Sequence, residues 1–299
     1  MSFSPSNVKV HFAGYDNDER AIAVLKAAGV RYRLFTSYPF IKNRSSDCDM
    51  KVPKLAEMDA EFEHVIMDSG LFTMMFGADK GTPKTPEFVR EWMHRICAFA
   101  TQNHIRASIV ECDCQKLISP EFAWELRREM RQIMPQAEII NVFHLADGQD
   151  GFRRLVDFTD YLAISVPELR IAQPKTYKNT VCALARMARR QKPGVKIHLL
   201  GCTERYLLEN NRFCTTADSS SWTSSTRFGT LDKVHIKNIN DKQAKIACEK
   251  VLAAAQQYGM GIPDKLARGE PKVVNYTAAN YYTAQKCRKD YTQWAGPQD

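Results

Sequence analysis

The sequence contains no long apolar run. Its hydrophobic residues make up 44% of the chain, but nowhere do they accumulate to the roughly 20 in a row that a membrane helix needs. The opening "MSFSPSNVKV" lacks the basic start and apolar stretch of a secretory signal, so the expected location is the cytoplasm. No Cys-x-x-Cys occurs, and no cluster of Cys with His completes a zinc site, so no metal or other cofactor is expected. The nine cysteines (48, 97, 112, 114, 182, 202, 214, 248 and 287) are an odd number. Several fall in apolar runs such as "SIVECDC" and "RFCTTA", which suits buried reduced thiols. Cys112 and Cys114, two apart, read as alternation along a strand. A Gly-x-Gly-x-x-Gly turn is missing as well: "FAGYDNDE", after the first strand-like run, has one glycine, which argues against an open dinucleotide-binding sheet. With no linker and no internal repeat, the 299 residues read as a single domain.

Acidic residues are outnumbered, 34 against 42 Lys and Arg, for a net charge of +8 that favours a polyanionic partner. The densest basic segment is "ARMARRQK" (185–192), with Arg186, Arg189, Arg190 and Lys192. It reads either as a phosphate-binding cluster or as a solvated helix face.

Apolar, β-branched runs of strand length recur at 8–14, 30–37, 64–68, 107–113, 138–144, 161–165, 195–201 and 212–218. Segments of helical period lie between them. "DERAIAVLKAAG" opens with an acid and stops at Gly29, and "TPEFVREWMHRICAFATQN" and "SPEFAWELRREMRQI" open with a hydroxyl N-cap followed by Pro and Glu. Strand and helix alternating eight times predict an α/β fold, a (β/α)8 TIM-type barrel over about 8–258. Residues 39–63 are its longest irregular insertion, and the tyrosine-rich tail 259–299 is expected to pack on or beside the barrel.

In such a barrel the chemistry sits where strands end. Reading off those ends gives Asp68, Asp113, His144, Gly201 and Asp218. Each Asp also suits a plain helix cap, and His144 a scaffold role, but three carboxylates converging on one mouth can divide labour between nucleophile and proton carrier. Asp218 lies in "TTADSSSWTSST" (215–226), where Ser219, Ser220 and Ser221 are placed to hydrogen-bond the carboxylate, keep it ionised, or hold a sugar or phosphate. A solvated Ser/Thr loop is the plainer alternative.

These residues carry a resemblance. "VIMDSGLFT" (65–73) resembles the Asp-Ser-Gly-Gly-aromatic motif of tRNA-guanine transglycosylases, and "VECDC" (110–114) their second acidic strand end. "IHLLGCTERYLL" (197–208) resembles their Leu-Met-Gly-Val-Gly segment, and "TTADSSSW" falls where they carry the nucleophilic aspartate. The order holds over roughly 64–222. The Asp-Ser-Ser-Ser-Trp run looks most like the short phage and bacterial relatives, the DpdA-like group, that place 7-deazaguanine bases in DNA. Departures are Leu71 for the second glycine, "NVFH" for a glutamine after the fifth strand, and no zinc-binding subdomain.

The resemblance implies base exchange in DNA, with Asp218 as nucleophile, Asp68 as base, and a preQ0- or preQ1-type base entering, in the host cytoplasm for a phage-encoded chain. It implies that Asp113, Ser69, Gly201 and His144 contact the base and Phe72 stacks on it. Arg227, the 186–192 cluster and Trp222 are the candidates for the nucleic acid, Trp222 as wedge or buried anchor. Exchange on tRNA, a catalytically silent nucleic-acid-binding barrel, and an N-glycosidase that hydrolyses are the other readings.

Overall fold

In the computed structural model, residues 7–16, 18–76, 81, 84–202, 204–232, 234–235, 242–259 and 276–298 are described. The eight apolar runs become eight strands: β1 (Lys9–Ala13), β2 (Tyr32–Thr36), β3 (His64–Asp68), β4 (Ser108–Val110), β5 (Ile139–Phe143), β6 (Tyr161–Ser165), β7 (Lys196–Leu200) and β8 (Thr216–Ser219). Each pairs in parallel with the next, and β8 returns to β1 in the register Lys9↔Thr216 to Phe12↔Ser219. The result is a closed (β/α)8 barrel.

The helices begin where side chains cap them. Asp18 accepts from the Arg20 and Ala21 amides ahead of α1 (Glu19–Ala27). After β2 come the short α2 (Tyr38–Ile41) and α3 (Leu55–Ala60), and after β3 comes α4 (Leu71–Phe76). Thr85 caps α5 (Pro86–Gln102) and Ser119 caps α6 (Pro120–Ile133), each hydroxyl accepting an amide three residues on. The ring continues with α7 (Gly148–Phe158), α8 (Val166–Ala172), α9 (Tyr177–Gln191), α10 (Arg205–Asn210) and α11 (Ser224–Phe228). A two-stranded hairpin of β9 (Thr230–Leu231) and β10 (Val234–His235) precedes α12 (Lys242–Gln257) and α13 (Tyr276–Ala295). No helix among the described residues is long and apolar enough to cross a membrane.

The insertion is not free of the core. Met50 and Val52 donate their amides to Gln102 and Asn103 of the α5 end, at 2.6 and 2.7 Å. At the other end of the chain, α13 packs on α1, α10, α11 and α12. The Val8 amide bonds the Ala295 carbonyl at 3.0 Å, and the buried Gln298 side chain accepts from Val10 N and donates to Val8 O. Residues 260–275 of the tail lie outside the described residues.

The inside of the barrel has an apolar part and a polar part. Leu34, Ile66, Val110, Ile140, Val142 and Ala163 fill the first. In the second, His11 Nε2 meets His64 Nδ1 at 2.7 Å, His64 Nε2 meets Ser108 Oγ at 3.0 Å, and Ser108 and Lys196 both bond Glu138. The cysteines are free and, apart from Cys48, buried as expected, but Cys112 and Cys114 do not lie on a strand. β4 stops at Val110 and the chain turns through a bond from Cys114 N to Cys112 O, so these two thiols are buried in a turn and not along a strand. Cys48 is exposed.

Candidate active site

The strand ends deliver their polar residues to one mouth. Asp68 closes β3, and its carboxylate accepts from Gly70 N at 2.9 Å. Gly70 has φ +73, and a Cβ there would stand 2.6 Å from the Tyr38 Cβ, so the turn behind Asp68 demands glycine. Burial, then the charges of Asp113 and Asp218, push the Asp68 carboxyl up to about 7, against the downward pull of the Gly70 amide. Asp16, in the loop after β1, adds a further carboxylate that reaches Asp68; it accepts from Thr36 N at 2.8 Å and is itself raised by burial.

Asp113 follows β4 and is braced from the side. His144, directly after β5, sets Nε2 3.0 Å from Asp113 Oδ2 and Nδ1 2.8 Å from Glu168 Oε2. Glu168 lies in the first turn of α8 and also pairs with Lys116 at 2.8 Å. Burial alone would lower the imidazole; the bonds to Asp113 and Glu168 outweigh it and hold His144 at about 10, so it is an imidazolium at neutral pH.

Asp218, in β8, receives the Gly201 amide on Oδ1 at 2.5 Å, and His198 Nε2 lies 3.3 Å from the same oxygen. Gly201 has φ +62, and a Cβ there would meet Pro167 Cγ at 2.7 Å.

No protein-family model and no curated protein matches the chain. Asp68, Asp113, His144, Gly201 and Asp218 all gather at this mouth, and Phe72 stands on its rim, 68% exposed.

Several expected roles change. The serines do not hold Asp218: Ser219 is buried and its hydroxyl accepts from Tyr291 of α13 at 2.6 Å and from Ser221 N at 3.1 Å, while Ser220 is exposed. Ser69 is buried, with its hydroxyl taken by Leu71 N and its carbonyl by Trp92 and Ser37, so it is scaffold for the loop and not a base contact. The Gly201 amide serves Asp218, and both ring nitrogens of His144 serve carboxylates, which leaves neither for a base edge. Trp222 is an anchor: 1% exposed, it donates Nε1 to Ala13 O at 2.9 Å and cannot act as a wedge. The basic cluster lies at the opposite end of the barrel. Arg189 donates to the carbonyls of Pro193 and Phe213, and Lys192 to Thr159 O and Asp160, all just ahead of strands β6, β7 and β8. Arg186 and Arg190 are exposed on that same half of α9. Arg227 is exposed on the mouth side, beside the ring of Phe228.

Three contributors were missed. Glu168 reads in "SVPELR" as an ordinary first-turn acid of a helix, Asp16 sits in a loop without pattern, and His198 is hidden mid-strand. The available signal for His198 was parity: in "KIHLL" it occupies the same face as Lys196 and Leu200, an inward position.

Proposed function

We propose that the protein is a base-exchange transglycosylase that removes guanine from DNA and installs a 7-deazaguanine base of the preQ0 or preQ1 type. What supports this best is the contrast between two carboxylates at one mouth. Asp218 is anchored through one oxygen by a backbone amide, and Asp68 is held near neutrality by burial and neighbouring charge.

Asp218 attacks C1′ of the target nucleotide, the C1′–N9 bond breaks, and guanine departs with a proton from Asp68. The glycosyl group is then joined to Asp218. The incoming 7-deazaguanine gives its N9 proton to Asp68 as N9 forms a bond to C1′, which releases Asp218 and restores the starting state. Asp113, oriented by the bond from His144 Nε2, accepts from the N1 and N2 hydrogens of either base. Both catalytic roles are filled by protein side chains.

A duplex target must leave the base stack to reach Asp218. Phe72, Tyr206 (44% exposed) and Phe228 (64% exposed) stand on mouth-side helices, with Arg227 beside Phe228 and Lys178 5.7 Å from the Tyr206 ring. Exposed rings with cations beside them suit stacking of bases and contact with phosphates.

The test is incorporation of labelled guanine, then preQ0, into double-stranded DNA and into tRNA, with Asp218→Asn alongside. The expected outcome is label in DNA that falls by on the order of 10⁴-fold in the variant, while DNA affinity stays within about twofold. Label in tRNA alone transfers the proposal to that substrate, and label in neither removes base exchange.

A further inference from the structure

β7 carries an imidazole where a barrel strand usually carries an aliphatic side chain. His198 is fully buried inside the barrel behind Asp218. Its Nδ1 lies 2.9 Å from Thr216 Oγ1, and that hydroxyl is bonded in turn to the Tyr161 hydroxyl. Its Nε2 is buried, makes no well-formed hydrogen bond among the described residues, and points 3.3 Å from Asp218 Oδ1.

The order of donors fixes which nitrogen bears the proton. A bare Nε2 would set a nitrogen lone pair against a carboxylate in a site shut off from water, at a cost no neighbour offsets. With the proton on Nε2, each ring nitrogen faces a complementary neighbour: Nδ1 can accept from Thr216, which in turn can accept from Tyr161, and Nε2–H turns its positive end toward Asp218 Oδ1, 3.3 Å away. A neutral donor also leaves the carboxylate its charge, whereas an imidazolium would quench it as a nucleophile.

We propose that His198 is a positioning residue: as the neutral Nε2–H tautomer set by Thr216 and Tyr161, it clamps Asp218 Oδ1 together with the Gly201 amide and so presents Oδ2 to the sugar. The proposal rests on Asp218 being the nucleophile. The clamp acts on geometry and not on substrate binding, so its loss appears in kcat.

Two measurements on the full chain test it. In ¹⁵N-histidine NMR, the His198 signals should report a proton on Nε2, and Asp218→Asn should move that resonance. In guanine exchange, His198→Phe should lower kcat by about 30- to 100-fold with KM for DNA within about twofold. His198→Gln, whose amide N–H reaches the place of Nε2–H, should recover to within about fivefold of wild type. Equal losses in the two variants, a proton on Nδ1, or an Nε2 resonance indifferent to Asp218→Asn would overturn the clamp. The readouts also part the two ideas. No exchange in the wild type, with Nε2 still responding to Asp218→Asn, defeats base exchange and keeps the clamp; exchange with an indifferent Nε2 does the reverse.

Discussion

Asp68 and Asp218 have the same side chain and different surroundings, and the burial of Asp68 can be read by titration. With Asp68 held at about 7, kcat/KM for exchange should show a limb near that pH. In Asp68→Asn that limb should vanish and the rate fall by about 10²- to 10⁴-fold, as a pH–rate series would record. The same carboxyl affects stability. Its folded pKa lies above the ordinary 3.8, so the folded state binds the proton more tightly and stability declines as pH rises from about 4 to about 7. Asp68→Asn removes that decline and should be more stable than wild type at pH 8 by up to roughly 4 kcal/mol, measured by urea unfolding. His144 has the opposite sense: its stabilising contribution is complete below the ordinary 6.5 and is lost as pH rises through about 10. Wild type should therefore lose roughly 3 kcal/mol between pH 6.5 and 10, and His144→Gln much less over the same range. Of these residues, Asp68, Asp113, His144 and Asp218 were legible because strand ends are marked in a sequence. Their partners were not, since the pairing of His144 with Glu168 depends on the end of β5 meeting the first turn of α8, 24 residues on, in space.

The elements were legible where local chemistry decides them. Asp18, Thr85 and Ser119 each accept amide hydrogens that a helix start leaves unpaired, and a short apolar run such as "YLAIS", buried on both faces, suits a parallel strand covered by helices. What an element does at its far end is set by its neighbours. The basic run of α9 looks like a phosphate site until the helix direction is known, and that direction carries Arg189 and Lys192 to the carbonyls under the barrel. Gly201 is the element-scale test. It ends β7 in a left-handed conformation against Pro167 at the start of α8, and its amide holds Asp218. Gly201→Ala should cost about 2 to 3 kcal/mol from strain and the clash, read as a lower midpoint in thermal unfolding. If Asp218 is the nucleophile as proposed, the variant should also slow exchange, because the amide that anchors its carboxylate moves with the strand end.

On the scale of the whole molecule, the net charge is +8, and basic side chains among the described residues occur at both ends of the barrel. The base holds the α9 cluster; the mouth has acids within and Arg227 at the rim. If DNA lies on the mouth, Arg227→Glu should weaken its binding by about tenfold, whereas the pair Arg186→Glu and Arg190→Glu at the base should change it by less than about threefold. Fluorescence anisotropy at about 100 mM salt would separate them, and affinity should fall steeply as salt is raised. The contact of Val8 and Val10 with Ala295 and Gln298 bears on biosynthesis. The backbone groups flanking the first strand wait for partners that the ribosome adds almost three hundred codons later. A nascent chain therefore spends nearly all of translation with that corner of the barrel unfinished, and a message cut just short of residue 298 would release a protein that keeps the Val8–Ala295 bond but lacks the two clasps of the Gln298 side chain.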